Sequence, residues 1–274
     1  MDEITAEYES GQLASPVELR VRPRVTIACK TDLGRVRENN EDKFEYFLPE
    51  DVATLASRGL IFLVCDGMGG HAAGQIASEI TVKTFIDVYL HHPSSDPEAA
   101  MVAGVTAANR FVGDVGRAVP SRKGMGTTLS GLVLLQDKAY TVQVGDSRIY
   151  RVRGGAIEAL THDHTWVDEA LRTGMIQPDE ADAHPYRHVL TRAIGTEGDV
   201  LPDIALWDLE VGDTFLLCSD GLTNHVSDEE ALSLLSTFAP GEAVWRLVGA
   251  ALVDGGSDNC TALVVRVDGL EAVV

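Results

Sequence analysis

Apolar residues along this chain come in short runs whose period changes from segment to segment. Residues 139–144 alternate, with Tyr140, Val142 and Val144 against Thr141 and Gln143, which predicts a half-buried strand. Residues 59–65 form an apolar, strand-like run, and in the strand expected at 213–218 the run FLLC before Asp220 is almost unbroken, as expected of a strand covered on both faces. Further strand-like runs lie at 24–29, 44–48, 128–135, 148–152, 156–160, 204–209 and 260–267, and Arg153-Gly154-Gly155 predicts a hairpin turn between two of them.

Elsewhere the period becomes three to four. Ala73, Ile76, Ala77 and Ile80 predict a helix over 72–90, closed by His91-His92, where imidazoles suit the negative end of the dipole. Asp96-Pro97 supplies an N-cap and an N1 proline to a helix with Met101, Val105, Ala108, Val112 and Val115 on one face. Ser227 and Glu230 form a capping box ahead of Ala231, Leu234, Leu235 and Phe238, and 241–253 is again amphipathic. Helix pairs alternating with consecutive strands predict a layered α+β domain with antiparallel sheets inside and helices outside. Residues 1–20 are polar and aperiodic, which predicts a flexible tail. No linker, repeat or low-complexity tract follows, so 21–274 is expected to be a single domain.

Composition narrows the function. Lys and Arg number 22 and Asp and Glu 42, a net charge of −20 over 274 residues. That excess repels nucleic acid and anionic membranes. No apolar run reaches the length of a bilayer span, and the acidic N-terminus has no signal-peptide pattern, so a cytoplasmic location is expected. Cys29, Cys65, Cys218 and Cys260 form no CxxC pair and lie in or beside apolar runs, which predicts small buried hydrophobes in a reducing compartment.

The acids are placed unevenly. Asp66 ends an apolar run and opens a glycine cluster in VCDGMGGHAAG, Asp220 follows another in FLLCSDGL, and Asp146 ends the alternating strand in TVQVGDSR. Asp258 precedes the last strand in GGSDNCTALVV, and Glu41 and Asp42 precede another in NNEDKF. Any one of these acids is explained by a turn. Several at the ends of buried strands would repel one another and lose hydration unless a cation neutralises them. Mg²⁺ or Mn²⁺ suits such oxygen donors, and the glycines would let backbone approach the ion, with the Gly67 carbonyl as a candidate ligand. Gly67–Ala72 also matches G-x-G-x-x-A, but Asp66 would face a pyrophosphate with like charge, and a second helix follows where a dinucleotide fold needs a strand. His162-Asp-His164 reads as a polar loop rather than a metal site, and neither a P-loop nor a G-x-S-x-G elbow is present.

Taken in order, RENNED (37–42), VCDGMGGHAAG (64–74), GTTLSGLVL (126–134), VGDSRIYR (144–151), LTRAIG (190–195), LLCSDGL (216–222) and GGSDN (255–259) closely resemble the metal-dependent protein phosphatases of type 2C, especially compact bacterial members. The resemblance covers roughly residues 24–267. It implies a four-layer α-β-β-α sandwich, two packed antiparallel sheets flanked by helix pairs. It also implies a serine/threonine protein phosphatase that hydrolyses phosphomonoesters with a hydroxide bridging two Mn²⁺ or Mg²⁺ ions. By motif position Asp66 would bridge both ions, with the Gly67 carbonyl on one of them. Asp220 and Asp258 would hold one ion, and Glu41 the other with Asp42 beside it. Asp146, with Asp220, would serve a weaker third site, and Arg37 would grip the substrate phosphate. The histidine that many eukaryotic members carry, proposed there as proton donor, is Met68 here; a metal-bound water is expected in that role, with His71 as the alternative. A flap is implied at about 165–187, where His184 and Arg187 either contact substrate or pack. The implied partners are phosphorylated proteins, substrates of a Ser/Thr kinase, met by a monomer. A non-catalytic phosphoprotein-binding relative is the alternative, set against the full complement of acids, and a small phosphoester or a single partner is a narrower substrate.

Overall fold

The computed structural model describes residues 17–273 except His71, Asp182, Ala183 and Glu197. Strands β1 (Val21–Asp32) and β2 (Lys43–Phe47) lead to helix α1 (Val52–Arg58), β3 (Leu60–Cys65) and the short β4 (Gly67–Met68). Helices α2 (Ala72–His91) and α3 (Pro97–Ala118) precede β5 (Gly126–Thr127), β6 (Leu129–Leu135), β7 (Lys138–Val144), β8 (Arg148–Arg153) and β9 (Ala156–Ala159). Then come α4 (Trp166–Arg172), α5 (Pro178–Ala181), β10 (Asp203–Asp208), β11 (Thr214–Cys218), α6 (Asp220–Thr223), α7 (Asp228–Thr237), α8 (Pro240–Val253) and β12 (Cys260–Ala272).

One sheet runs β1-β12-β11-β8-β9 and the other β10-β7-β6-β3-β2, with β4 and β5 a separate ribbon and every named pairing antiparallel. Strand alternation builds three hydrophobic layers. Phe62, Val64, Leu132, Ile149, Phe215, Leu217, Leu263 and Val265 meet between the sheets. The intervening residues Ile61, Leu63 and Cys65 face Ala77, Phe85 and Val105 of α2 and α3. On the other side Leu216, Cys218 and Val264 face Val244, Leu247 and Ala251 of α8. The unbroken apolar runs of β3 and β11 thus have a cause: each strand has a core on both faces. The order helices, sheet, sheet, helices is the expected sandwich.

Several details differ from the sequence reading. Helix α1 is an addition; with seven residues it is too short to show a period, and Arg58 at its end is held by the carbonyls of Leu90, His92 and Ser94. Strand β1 extends past 24–29 because it pairs with β12 along its whole length. Of the expected tail, residues 1–16 lie outside the described residues, but residues 17–20 do not behave as one. Leu19 is buried against the inter-sheet core, and Gln136 bonds the Glu18 carbonyl and the Arg20 and Val21 amides. The hairpin at Gly154-Gly155 is present, with φ of 59° and 81° at the two glycines. Cys65, Cys218 and Cys260 are buried free thiols and Cys29 is partly buried. Among the described residues no helix is long and apolar enough to cross a membrane.

Candidate metal centre

The topology decides where the acids go. Lys43 of β2 pairs with Cys65 of β3, so Glu41 and Asp42, just before β2, arrive at the end where Asp66 leaves β3. Strand β6 lies antiparallel to both β3 and β7, which brings Asp146 to the same end, and β12 lies antiparallel to β11, which brings Asp258 to Asp220. A cavity of about 500 Å³ opens there, lined by Arg37, Glu41, Asp66, Gly67, Asp146, Asp220 and Asp258 among others.

The backbone under each acid is fixed. The Asp66 amide donates to Thr128 Oγ1 (2.8 Å), and its carbonyl accepts from Thr127 Oγ1 (2.7 Å) and the Thr128 amide (2.9 Å). The Asp146 turn is held by Gln143, whose amide donates to the carbonyls of Gly145 (3.0 Å) and Ser147 (2.6 Å), and by His164, whose Nδ1 accepts the Gly145 amide (3.1 Å). His164 is therefore a buried strut, joined at Nε2 to Asp203 (3.1 Å), and not a metal ligand. Asn259 accepts the Glu41 amide (2.8 Å) and donates to the carbonyls of Leu33 and Asn39, which ties the Glu41 loop to the Asp258 loop. The glycines have a packing reason that the sequence reading gave to the ion: a Cβ on Gly67 would lie 2.3 Å from the Gly74 carbonyl oxygen, and one on Gly74 would lie 2.1 Å from Glu41 Oε2.

The electrostatics are those of crowded carboxylates. Burial, then the fields of Asp42, Asp220, Asp146 and Asp258, hold the Asp66 carboxyl well above the usual carboxylate range. Burial and then Asp220 and Asp163 push Asp146 up to about 7. Asp220 is raised by burial and by Asp258, while hydrogen bonds from Asp66 and Asn224 act the other way. Two arginines at this end of the sandwich are engaged by acids: Arg148 by Asp163 (2.6 Å) and Arg37 by Asp258 (2.6 Å). Asp42 stands behind the cleft rather than in its lining. Its Oδ2 accepts from Ser219 (2.7 Å) and Thr261 (2.6 Å), its Oδ1 is buried without a partner, and burial first, then Asp220 and Asp258, push it to about 7.

Among the described residues, no three carboxylate, imidazole or thiolate side chains already stand in metal-ligand geometry. The donor set nonetheless fits a hard divalent ion. Five acids of separated segments share one cavity, and Asp42 behind it leaves a buried oxygen unsatisfied.

Of the other sequence candidates, Arg187 lines the cavity, while His184 stacks on Trp166 with centroids 4.6 Å apart. Met68 also lines it, and His71 lies outside the described residues. His188, Asn224, His225 and Ser257 line the cavity without having been singled out. Their only sequence signal is proximity to Arg187, Asp220 and Asp258.

The profile of the family described as Protein phosphatase 2C matches residues 35–251, and the chain belongs to that family. It is 36% identical over 248 residues to the serine/threonine protein phosphatase PstP of Mycobacterium tuberculosis, a match covering 89% of this chain and 46% of PstP, so the chain spans about half of that relative. It is 36% identical over 247 residues to the protein phosphatase PhpP of Streptococcus pneumoniae, covering 88% of this chain and 97% of PhpP. Among solved structures, the catalytic domain of PstP in complex with two manganese ions is similar with a TM-score of 0.76 and 35% identity, over 89% of this chain and 99% of that one.

Proposed function

We propose that this protein is a metal-dependent serine/threonine protein phosphatase that hydrolyses phosphoserine and phosphothreonine monoesters without a phosphoenzyme. The observation that carries the reading is the gathering of Glu41, Asp66, Asp146, Asp220 and Asp258 around one cavity that also holds Arg37. The Gly67 backbone and these carboxylates are the groups that would hold Mn²⁺ or Mg²⁺, two ions in the core and a weaker third toward Asp146. Such ions supply Lewis acidity and an activated water for attack on phosphorus.

The chain's own residues do the remaining work. Arg37, half exposed and resting on Asp258, is the cation placed to turn its planar guanidinium from that acid onto phosphate oxygens, which a forked donor matches. Thr127 and Thr128 hold Asp66 so that its carboxyl, and not its backbone, meets the cavity. Asp42 bonds Ser219, the residue before Asp220, and so positions that acid from behind. The presence of all five acids argues against a purely phosphoprotein-binding relative.

The test is turnover of phosphopeptides carrying phosphoserine, phosphothreonine or phosphotyrosine with Mn²⁺, with Mg²⁺ and with chelator. Turnover of the first two that chelation abolishes is the expected result. Turnover that survives chelation, or binding of phosphopeptide without turnover, would remove the proposal.

A further inference from the structure

We propose that Arg192 and Asp203, outside the cavity, act through His164 as positioning residues for the Asp146 turn, and so set how tightly the cleft retains a divalent ion at its Asp146 end. The inference rests on the metal-dependent phosphatase reading and adds to it two residues that touch neither ion nor substrate.

The motif LTRAIG (190–195) marks the place. Of its residues only Leu190 lines the cavity, so the charge of Arg192 is used elsewhere. Arg192 Nη1 donates to Asp203 Oδ1 at 2.6 Å and to the Leu201 carbonyl at 3.3 Å. Asp203 opens β10 and pairs in register with Gln143 of β7. Its Oδ2 accepts from His164 Nε2 at 3.1 Å. Side-chain exposure drops sharply along this path, from 30% at Arg192 and 49% at Asp203 to 1% at His164. One buried imidazole therefore joins a surface ion pair to the turn that carries Asp146.

His164 grips that turn at two points. Its Nδ1 accepts the Gly145 amide at 3.1 Å, and its own amide donates to the Gly145 carbonyl at 2.9 Å. A backbone amide can only donate, so Nδ1 carries no proton and the proton on Nε2 goes to Asp203. The bond at one ring nitrogen sets the role of the other. Without Asp203 the ring loses the acceptor that selects this form, and the other form would set an N–H against the Gly145 N–H. Gln143 holds the turn as well, but only at the carbonyls of Gly145 (3.0 Å) and Ser147 (2.6 Å), which leaves the Gly145 amide to His164. Gly145 is itself constrained: its φ is 101°, and a Cβ there would lie 2.5 Å from Thr128 Cγ2. Asp146 follows directly, so the aim of its carboxylate depends on these grips. Mg²⁺ and Mn²⁺ sites demand well-placed oxygens, and partners that orient a ligand from behind are worth about 10–100-fold in metal affinity.

The test is calorimetric titration of Mn²⁺ into metal-free wild type, Asp203→Ala, Arg192→Ala, His164→Gln, His164→Asn and the double variant His164→Asn/Asp203→Ala. Asparagine carries an acceptor where Nδ1 stands, whereas glutamine reaches the place of Nε2 and offers nothing to Gly145. The weakest Mn²⁺ step is expected to weaken by about tenfold or more in Asp203→Ala and His164→Gln, with the tighter steps unchanged. Arg192→Ala should weaken the same step by less. His164→Asn should bind as wild type does, and adding Asp203→Ala to it should cost nothing further. An unchanged weakest step in Asp203→Ala would overturn the proposal. So would the same loss from Asp203→Ala in the His164→Asn background, which would mean that the Asp203 charge acts on the ion directly. Equal weakening of every step, together with a lower metal-free melting temperature, would leave only a structural role and overturn it too. Absence of Mn²⁺ binding by wild type would instead remove the metal-dependent reading beneath it.

Discussion

Asp66 is held by its backbone and used through its side chain. The bonds to Thr127 and Thr128 involve only its amide and carbonyl, so Asp66→Asn keeps them and removes one charge from the cavity. Turnover in Asp66→Asn should fall by more than about a hundredfold, beyond the 10–100-fold that outer partners of a metal ligand are worth. The metal-free variant should melt no lower than wild type, because the charge it loses was repelled by Asp42, Asp220, Asp146 and Asp258. Loss of folding together with loss of turnover would show a structural role instead. Arg37→Ala separates binding from chemistry: KM for phosphopeptide should rise several-fold with a smaller change in kcat, and steady-state kinetics check it. An unchanged KM would take phosphate binding away from Arg37.

At the scale of elements, the strands were the most legible part of the sequence. The run before Asp220 reads as doubly buried because β11 faces both the inter-sheet core and a helix layer, and the apolar run 59–65 proves to have the same two faces in β3. Phe62, fully buried between the sheets, tests that packing: Phe62→Ala should cost about 3–5 kcal/mol, seen in denaturant unfolding. The acids at strand ends were legible for the same reason, since a buried strand that stops at an acid needs something to receive it. Contacts between loops were not. Arg37 and Asp258 are 221 residues apart, His225 and Ser257 are 32 apart, and no period or cap marks either pairing. Asp42 was misplaced for a related reason. Its position beside Glu41 gives no clue that the chain turns one carboxylate toward the cleft and the next toward Ser219 and Thr261. The glycines were found, but their main work is the close approach of Gly67, Gly74 and Glu41.

For the whole molecule, a net charge of −20 and a knot of acids at one end of the sandwich predict that stability depends on metal. Asp42 and Asp146 have ordinary carboxylate values of 3.8 when unfolded and about 7 when folded. Between those values the folded state binds more protons than the unfolded one, so their contribution is fully present below 3.8 and is lost as pH rises through about 7. The metal-free protein should therefore melt lower at pH 8 than at pH 6. A divalent ion replaces the missing protons, so Mn²⁺ should raise the melting temperature more at pH 8 than at pH 6, binding the folded state alone. Asp42→Asn keeps an oxygen for Ser219 and Thr261 and removes the buried charge. It should raise the metal-free melting temperature at pH 8 by about 4–8 °C, the shift that about 2 kcal/mol gives a domain of this size. Differential scanning calorimetry with chelator and with Mn²⁺, at both pH values, measures all of this. A melting temperature in chelator that does not fall between pH 6 and 8 would mean that the acids are not crowded, and with that the physical reason for a cation at this end of the sandwich would be gone.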